Sequence, residues 1–180
     1  MQLRNELNQQ DYQNIKRVYI SAFPKEERPP FSILRRSVEQ KKGMFLVIEE
    51  GEQFIGFLHV VVHSDLVYLA FFAIDEACRG KGYGSQSLQL LKQRFAGKRI
   101  LVAREALDAD ADNYVQRVRR YGFYLRNGFA EIPYSIKEGG VTYDAMSTNG
   151  DVRPEEYDDL VSNWVSPLIR KLIGFSMSAK

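Results

Sequence analysis

The spacing of apolar residues along the chain predicts a succession of short helices and strands. Apolar positions recur every three or four residues, the period of an amphipathic helix, in residues 11–23, 31–41, 84–95, 113–126 and 155–175. Pro167 lies inside the last of these segments and predicts a kink or break there. Continuous or alternating apolar runs predict strands at residues 44–48, 53–63, 66–74, 99–104, 129–137 and 141–146. The helix at 113–126 is predicted from a stripe formed by Val115, Val118, Gly122 and Leu125.

The order of these elements, α α β β β α β α β β α, indicates how the strands pair. Tight turns join the first three strands, which predicts an antiparallel meander. The helix at 84–95 then allows strand 99–104 to run parallel to strand 66–74. We therefore expect an α+β fold, with a mixed, mostly antiparallel central sheet and helices on both faces. A parallel pair that diverges at its carboxyl ends leaves a crevice, where ligands tend to bind.

Composition and charge narrow the class of protein. The chain has 180 residues, of which 44% are hydrophobic and 27% charged, as in an ordinary globular domain. Its formal net charge of +2 is too small to predict nucleic-acid binding. Cys78 is the single cysteine, which excludes an intramolecular disulfide framework and fits a reducing cytosol. The sequence shows no apolar leader and no membrane-spanning run, so we expect a cytoplasmic protein with no membrane partner.

A glycine-rich segment follows the strand at 66–74 and opens the next helix. Its sequence is RGKGYG, residues 79–84. Helix starts offer free N–H groups and a positive dipole end, and glycines let an anion approach the backbone, so the segment predicts a phosphate site. The P-loop spacing is absent, and Ser85 stands where a dinucleotide fingerprint needs its third glycine. Glu105 lies where a ribose-binding acid would be sought, but the failed glycine spacing outweighs it.

Two segments together resemble the GNAT superfamily of acetyl-CoA-dependent N-acetyltransferases. The pattern Arg79-x-x-Gly82-x-Gly84 after a strand resembles the pyrophosphate loop of that family. The segment FYLRNGF, residues 123–129, resembles its second signature, a tyrosine four residues before a Gly-Phe pair. The resemblance covers roughly residues 7–147 and includes the order of elements, so it implies a GNAT-like fold.

The resemblance implies acetyl-CoA as the donor. Backbone N–H groups of the loop would hold the pyrophosphate, and the preceding strand would pair with the pantetheine arm. The residues implied in binding the donor are Phe72, Ala73, Ile74, Arg79, Gly80, Lys81, Gly82, Tyr83, Gly84 and Ser85. No metal is predicted, because His59 and His63 share a strand face without an acidic or cysteine partner nearby.

The implied reaction needs a base for the amine and an acid for the departing thiolate. Tyr124 occupies the position of the acid in the family, although it could be one more tyrosine of an amphipathic helix. Many family members carry a glutamate base on the strand before the loop, where this chain has Tyr68. We therefore assign Tyr68 to the acceptor site and consider Glu105, at the neighbouring strand end, as the catalytic base. A surface glutamate without a catalytic role is an equal alternative for Glu105.

The acceptor half of the site is less defined by the sequence. Glu26 and Glu27 lie in a loop that often lines the acceptor site in this family. Glu27 is the candidate substrate ligand, although a solvated charge run is the simpler explanation of the pair.

The predicted function is transfer of acetyl from acetyl-CoA to the amine of a small molecule or peptide. Because Tyr68 replaces the expected base, a non-catalytic acetyl-CoA-binding or sensing module is the alternative, and a dinucleotide enzyme is the third hypothesis. Residues 1–148 are predicted to form a single acetyltransferase domain. Residues 149–180 are predicted as a C-terminal helical extension, packed on that domain or at an interface such as that of a homodimer.

Overall fold

The computed structural model of the chain describes residues 1–25 and 28–180. The described helices are α1 Gln9–Ala22, α2 Phe31–Glu39, α3 Tyr83–Arg94, α4 Tyr114–Arg126, α5 Pro154–Trp164 and α6 Pro167–Ile173. The strands are β1 Gln2–Arg4, β2 Met44–Glu50, β3 Gln53–His63, β4 Leu66–Ile74, β5 Arg99–Glu105, β6 Ala130–Glu138, β7 Val141–Ser147 and β8 Ser176–Ala179. They form one sheet in the order β1-β2-β3-β4-β5-β7-β6-β8.

The sheet is mixed and mostly antiparallel, as the order of elements predicts. Among the described strands, β4 and β5 form the parallel pair, and the other neighbours run antiparallel. Helices cover both faces. The α+β prediction is therefore confirmed.

The sequence pattern missed the two outermost strands. β1 pairs with β2, and β8 pairs with β6 at the opposite edge. Each is three or four residues long, which is too short to show a repeat of polar and apolar positions.

The helical segment predicted over residues 155–175 breaks before Pro167, one of the two outcomes predicted there, and forms two helices. Val165 and Ser166 have extended backbones, and Ser166 Oγ accepts a hydrogen bond from the N–H of Ile169 at 3.4 Å. Pro167 occupies the first turn of α6, where its missing N–H costs nothing. The proline therefore begins a second helix that leaves α5 in a new direction.

The sheet separates two hydrophobic cores. Alternate residues of β2 point to opposite faces, so Phe45 belongs to the core under α1, α2 and α5, and Leu46 to the core under α3 and α4. The first core contains the buried face of α5: Tyr157, Leu160, Val161 and Trp164. The continuous apolar character of β2 thus follows from burial on both sides.

The stripe that predicts α4 does not face the core. Val115 is 61% exposed, and Val118 and Leu125 are also exposed. The buried side of this helix carries Tyr124 instead, which packs in the second core with Phe129. The spacing of these apolar residues therefore predicts that residues 113–126 are helical, but not which side of the helix is buried.

β4 and β5 pair over a short distance and then part. The register joins Leu66 to Arg99, Val67 to Ile100 and Tyr68 to Leu101. Beyond these pairs the structure gives no pairing between the two strands. On its other side β4 stays paired with β3 as far as Ile74, with a bulge opposite His59 and Val60. The side of β4 toward β5 therefore carries backbone groups that no neighbouring strand pairs with, and such groups need other partners.

His59 is completely buried in the first core. Its ring lies 4.9 Å from the ring of Phe45 and 5.7 Å from that of Trp164, measured between centroids. Ser37 Oγ lies 3.4 Å from Nε2, and Nδ1 has no hydrogen-bond partner among the described residues. Burial lowers the pKa of His59 to about 3, so the imidazole is neutral in the folded protein.

The described residues contain no group of three or more His, Cys, Asp or Glu side chains that could hold a metal ion. None of the described helices has the length and apolar character needed to cross a bilayer.

The buried imidazole makes a prediction about acid stability. The folded-state pKa of His59 lies below the unfolded value, so its contribution is present above about pH 6.5 and is lost as pH falls towards 3. Between about pH 6.5 and pH 5 the loss amounts to at most about 2 kcal/mol. We expect His59→Gln to reduce this dependence in urea unfolding measured at both pH values. His63→Gln, on the same strand but partly exposed, is the control and should retain the wild-type dependence. If the free energy of unfolding changes with pH equally in the wild type and in His59→Gln, the buried imidazole is not the source of this dependence.

Candidate functional site

A crevice opens where β4 and β5 part. It has a volume of about 310 Å³, and its walls include Phe72, Ala73, Glu105, Tyr124 and Glu138. A second groove, of about 440 Å³, continues from it along the glycine-rich loop. The two spaces share lining residues on β4, on the loop and on α4: Phe72, Ile74, Arg79, Arg120 and Tyr124. A long, narrow ligand could therefore occupy both.

The glycine-rich loop leads directly into α3. Gly80 and Gly82 have φ angles of +78° and +81°, a conformation that side chains with a Cβ rarely adopt. Gly82 is the N-cap of α3, and the first helical hydrogen bond runs from Gln86 N–H to Gly82 O at 3.2 Å. The N–H groups before Gln86 are thus left without helical acceptors, as in the first turn of any helix. An anion in the groove would find these donors and the positive end of the helix dipole.

Gly84 is required for a different reason. A Cβ at this position would lie 3.3 Å from two ring atoms of Phe123, so glycine allows α3 and α4 to approach closely. The helix that supplies the N–H donors and the helix that carries Tyr124 are thereby held against each other.

The structure places most of the predicted donor-binding residues along this groove. Phe72, Ala73 and Ile74 line the crevice, and Arg79, Gly80, Gly82, Tyr83, Gly84 and Ser85 line one or both spaces. Lys81 is not part of either lining, and its Nζ donates to Ala77 O at 3.5 Å. Arg79 Nε donates to Ile74 O at 3.2 Å. Of the two predicted cations, Arg79 is therefore the one that the structure places beside the crevice.

Tyr124 lies on the α4 wall, where the crevice and the groove meet. Burial raises its pKa to about 12, so the phenol keeps its proton throughout the physiological range. Its ring packs edge-on against Phe129 at 5.3 Å and against Phe123 at 5.4 Å. The hydroxyl can therefore act as a hydrogen-bond or proton donor from a fixed position.

Glu105 lines the crevice, and its carboxylate already has three side-chain partners. Its carboxylate forms ion pairs with Arg120 and, at 3.4 Å, with Arg117, and Asn113 Nδ2 donates to Oε1 at 2.7 Å. These three contacts tie the carboxylate to the segment before α4 and to α4 itself. The arrangement suits an anchor between the end of β5 and α4 better than a base.

A second carboxylate, which the sequence reasoning missed, faces the same crevice. Glu138 ends β6, and its Oε1 accepts hydrogen bonds from Tyr68 at 2.6 Å and from Tyr157 of α5 at 2.5 Å. Burial raises the pKa of Glu138, while the two hydroxyl donors partly offset that rise. Tyr68 therefore lines the crevice, and its hydroxyl donates to a partly buried carboxylate there.

A weak sequence signal for Glu138 did exist. Ile132 and Ile136 are buried residues of β6, and Glu138 follows Ile136 by two positions, so it shares the same inward face. The predicted strand ends one residue earlier, at position 137, and Gly139 and Gly140 follow Glu138. The other predicted acceptor ligand, Glu27, lies outside the described residues.

Comparisons with known proteins agree with this geometry. Residues 6–129 match the model of the acetyltransferase (GNAT) family. A search of curated proteins finds no match.

Solved structures show the same fold at low identity. A GNAT-family acetyltransferase from Bacteroides thetaiotaomicron is 21% identical, with a TM-score of 0.71 over 89% of this chain and 93% of that one. An aminoglycoside 6'-N-acetyltransferase in complex with coenzyme A is 13% identical, with a TM-score of 0.64 over 86% and 99% of the two chains. The ribosomal-protein-S18-alanine N-acetyltransferase from Escherichia coli is 16% identical, with a TM-score of 0.62 over 85% and 96%. The match to the family model spans most of the chain, and the chain therefore belongs to the GNAT family of acetyltransferases.

Proposed function

We propose that the protein transfers an acetyl group from acetyl-CoA to the amine of a small molecule or peptide. The observation that carries this proposal is the pairing of two groups across one crevice. Tyr124, a phenol that keeps its proton, lines the crevice from α4, and Glu138, a partly buried carboxylate, lines it from the end of β6. Acetyl transfer to an amine needs one acid and one base, and these side chains suit the two roles.

Two parts of the site support acetyl-CoA as the donor. The N–H groups at the start of α3 suit the pyrophosphate, and the unpaired side of β4 suits the amides of the pantetheine arm. In the structure, Ile74 O accepts a hydrogen bond from Arg79 Nε. We propose that Arg79 turns from this carbonyl to the phosphates when the donor binds, which frees Ile74 O for the pantetheine.

Bound acetyl-CoA supplies an electrophilic thioester carbonyl. The acceptor enters as an ammonium ion and must lose one proton before its nitrogen can form the new C–N bond. Glu138 is suited to take that proton, because burial raises its pKa and so makes the carboxylate a stronger base. The C–S bond breaks, and Tyr124 gives a proton to the departing sulfur. The second proton of the amine restores the tyrosine, so one proton is released overall.

Glu138 weakens the reason for considering a non-catalytic module. That alternative depended on finding Tyr68 where a glutamate base was expected. In the structure the Tyr68 hydroxyl donates to Glu138 Oε1 at 2.6 Å, so a carboxylate lies next to the expected position. Residues 149–180, predicted as an extension, contribute Tyr157 to the same cluster. We propose a cytoplasmic location, based on the single cysteine Cys78, which is buried and free.

Removing the phenolic hydroxyl tests the acid. We expect Tyr124→Phe to reduce kcat by about a hundredfold, the usual range for a lost general acid, without weakening acetyl-CoA binding. CoA release measures turnover, and calorimetry measures donor binding. Tyr121→Phe is the matched control on the same helix, because Tyr121 packs on Arg104 and lines neither space. Unchanged turnover in Tyr124→Phe would exclude the acid assignment.

Two carboxylate variants separate the base from the anchor. We expect Glu138→Gln to lose about a hundredfold in kcat, because the amide cannot take a proton at neutral pH. Its amide oxygen can still accept from both tyrosines, so its thermal stability at neutral pH should equal or exceed that of the wild type. In the wild type, kcat/KM should rise with pH as Glu138 loses its proton, at a pKa above the usual carboxyl value. This rise should be absent from the pH profile of Glu138→Gln. Glu105→Gln should instead lower thermal stability, because it weakens two ion pairs. It should keep the rise of kcat/KM with pH, because Glu138 is unchanged. The base assignment falls if Glu138→Gln retains the wild-type turnover and pH profile.

A further inference from the structure

A smaller cavity, distinct from the crevice and from the groove along the glycine-rich loop, lies behind Glu138. Its volume is about 130 Å³. Glu138 and Phe71 line both this cavity and the crevice, so the two spaces meet at the proposed base. The remaining lining comes from the segment before α2, the turn after β6, and the C-terminal segment: Arg28, Pro29, Gly139, Trp164, Ile173 and Phe175.

The walls of this cavity are mainly apolar. Phe71, Trp164 and Phe175 provide three aromatic rings, and Ile173 adds a branched aliphatic side chain. The rings of Trp164 and Phe175 lie 5.6 Å apart and fix one side. Apolar cavities of about 150 Å³ take up a molecule the size of benzene. The space behind Glu138 is therefore suited to one aromatic ring or one branched alkyl group.

Two charged groups at the cavity limit the charge of its occupant. The carboxylate of Glu138 attracts a single ammonium group at the junction with the crevice. Arg28 brings a guanidinium to the same cavity, and its Nε has no hydrogen-bond partner among the described residues. A second ammonium group entering the cavity would be repelled by this charge and would be desolvated among aromatic rings.

We propose that this cavity binds the hydrocarbon group of the acceptor. The acceptor is then a primary monoamine that carries a compact aromatic or branched alkyl group, with its nitrogen at Glu138 and its hydrocarbon part between Trp164 and Ile173. The inference rests on the proposed acetyl transfer and adds the class of acceptor. It favours such amines over polyamines and aminoglycosides, whose several ammonium groups match neither the rings nor Arg28.

The acceptor class is tested with the full chain in a CoA-release assay. The probes are 2-phenylethylamine and 3-methylbutylamine on one side, and spermidine and kanamycin on the other. We expect kcat/KM to be at least about tenfold higher for the two monoamines, as is usual when a hydrocarbon group fills an apolar pocket. A higher kcat/KM for spermidine or kanamycin would overturn the inference and leave acetyl transfer intact.

Substitutions at Ile173 locate the binding of the hydrocarbon group. Ile173→Phe should fill the cavity and lower the kcat/KM ratio of 2-phenylethylamine to ethylamine about tenfold. Ile173→Ala should enlarge it and raise the relative rate with 2-(2-naphthyl)ethylamine. Leu172→Phe is the matched control, because Leu172 is the next residue of α6 and is 77% exposed. The kcat/KM ratio of 2-phenylethylamine to ethylamine in Leu172→Phe should equal that of the wild type.

The outcomes separate the two proposals. Thermal stabilisation by acetyl-CoA shows which variants remain folded. If acetyl-CoA stabilises the wild type but none of the amines releases CoA, the proposed function fails, and this inference fails with it. If amines are acetylated but neither Ile173 variant changes the ratio between large and small amines, the cavity does not select the acceptor, and acetyl transfer stands.

Discussion

The divergence of β4 from β5 determines where this protein can bind its ligands. The strands pair from Leu66 to Tyr68 and then separate, so one side of β4 keeps backbone donors and acceptors that no strand satisfies. Buried backbone groups must find partners, and an extended ligand with amide groups can provide them. The same divergence gives α4 and β6 access to the opening. The crevice therefore depends on this one departure from regular pairing, and so do the proposed roles of the glycine-rich loop beside it and of Tyr124 and Glu138 in its walls.

Two carboxylates on the walls of one crevice show how environment assigns a role. Glu105 forms ion pairs with the guanidinium groups of Arg117 and Arg120. Glu138 is removed from solvent, which raises its pKa, and it accepts hydrogen bonds from two neutral phenols, which partly offset that rise. Desolvation therefore disfavours charge at Glu138, whereas two cations hold the carboxylate of Glu105 in place. A group that must gain and lose a proton needs the first environment, and a structural anchor needs the second.

The proposed donor half of the site could be inferred from the sequence, because it is local. Arg79, Gly82 and Gly84 lie within one short segment whose spacing has a direct physical meaning. The acceptor half is built from residues far apart in the sequence: Tyr68, Glu138 and Tyr157 meet through the order of strands β4, β5, β7 and β6. A glutamate before two glycines looks like an ordinary turn residue until that order is known. The edge strands β1 and β8 were missed because three or four residues carry no measurable period.

The C-terminal segment holds the hairpin that carries Glu138 at several points. Tyr157 hydrogen-bonds the carboxylate, Ile173 O accepts from Gly139 N–H at 2.9 Å, and β8 pairs with β6. None of these contacts involves the glycine-rich loop. In the proposed function, the central residues of the chain bind the donor, and the final residues support the side of the crevice that receives the acceptor. Changes in those final residues could alter which amine is used while the handling of the donor is preserved.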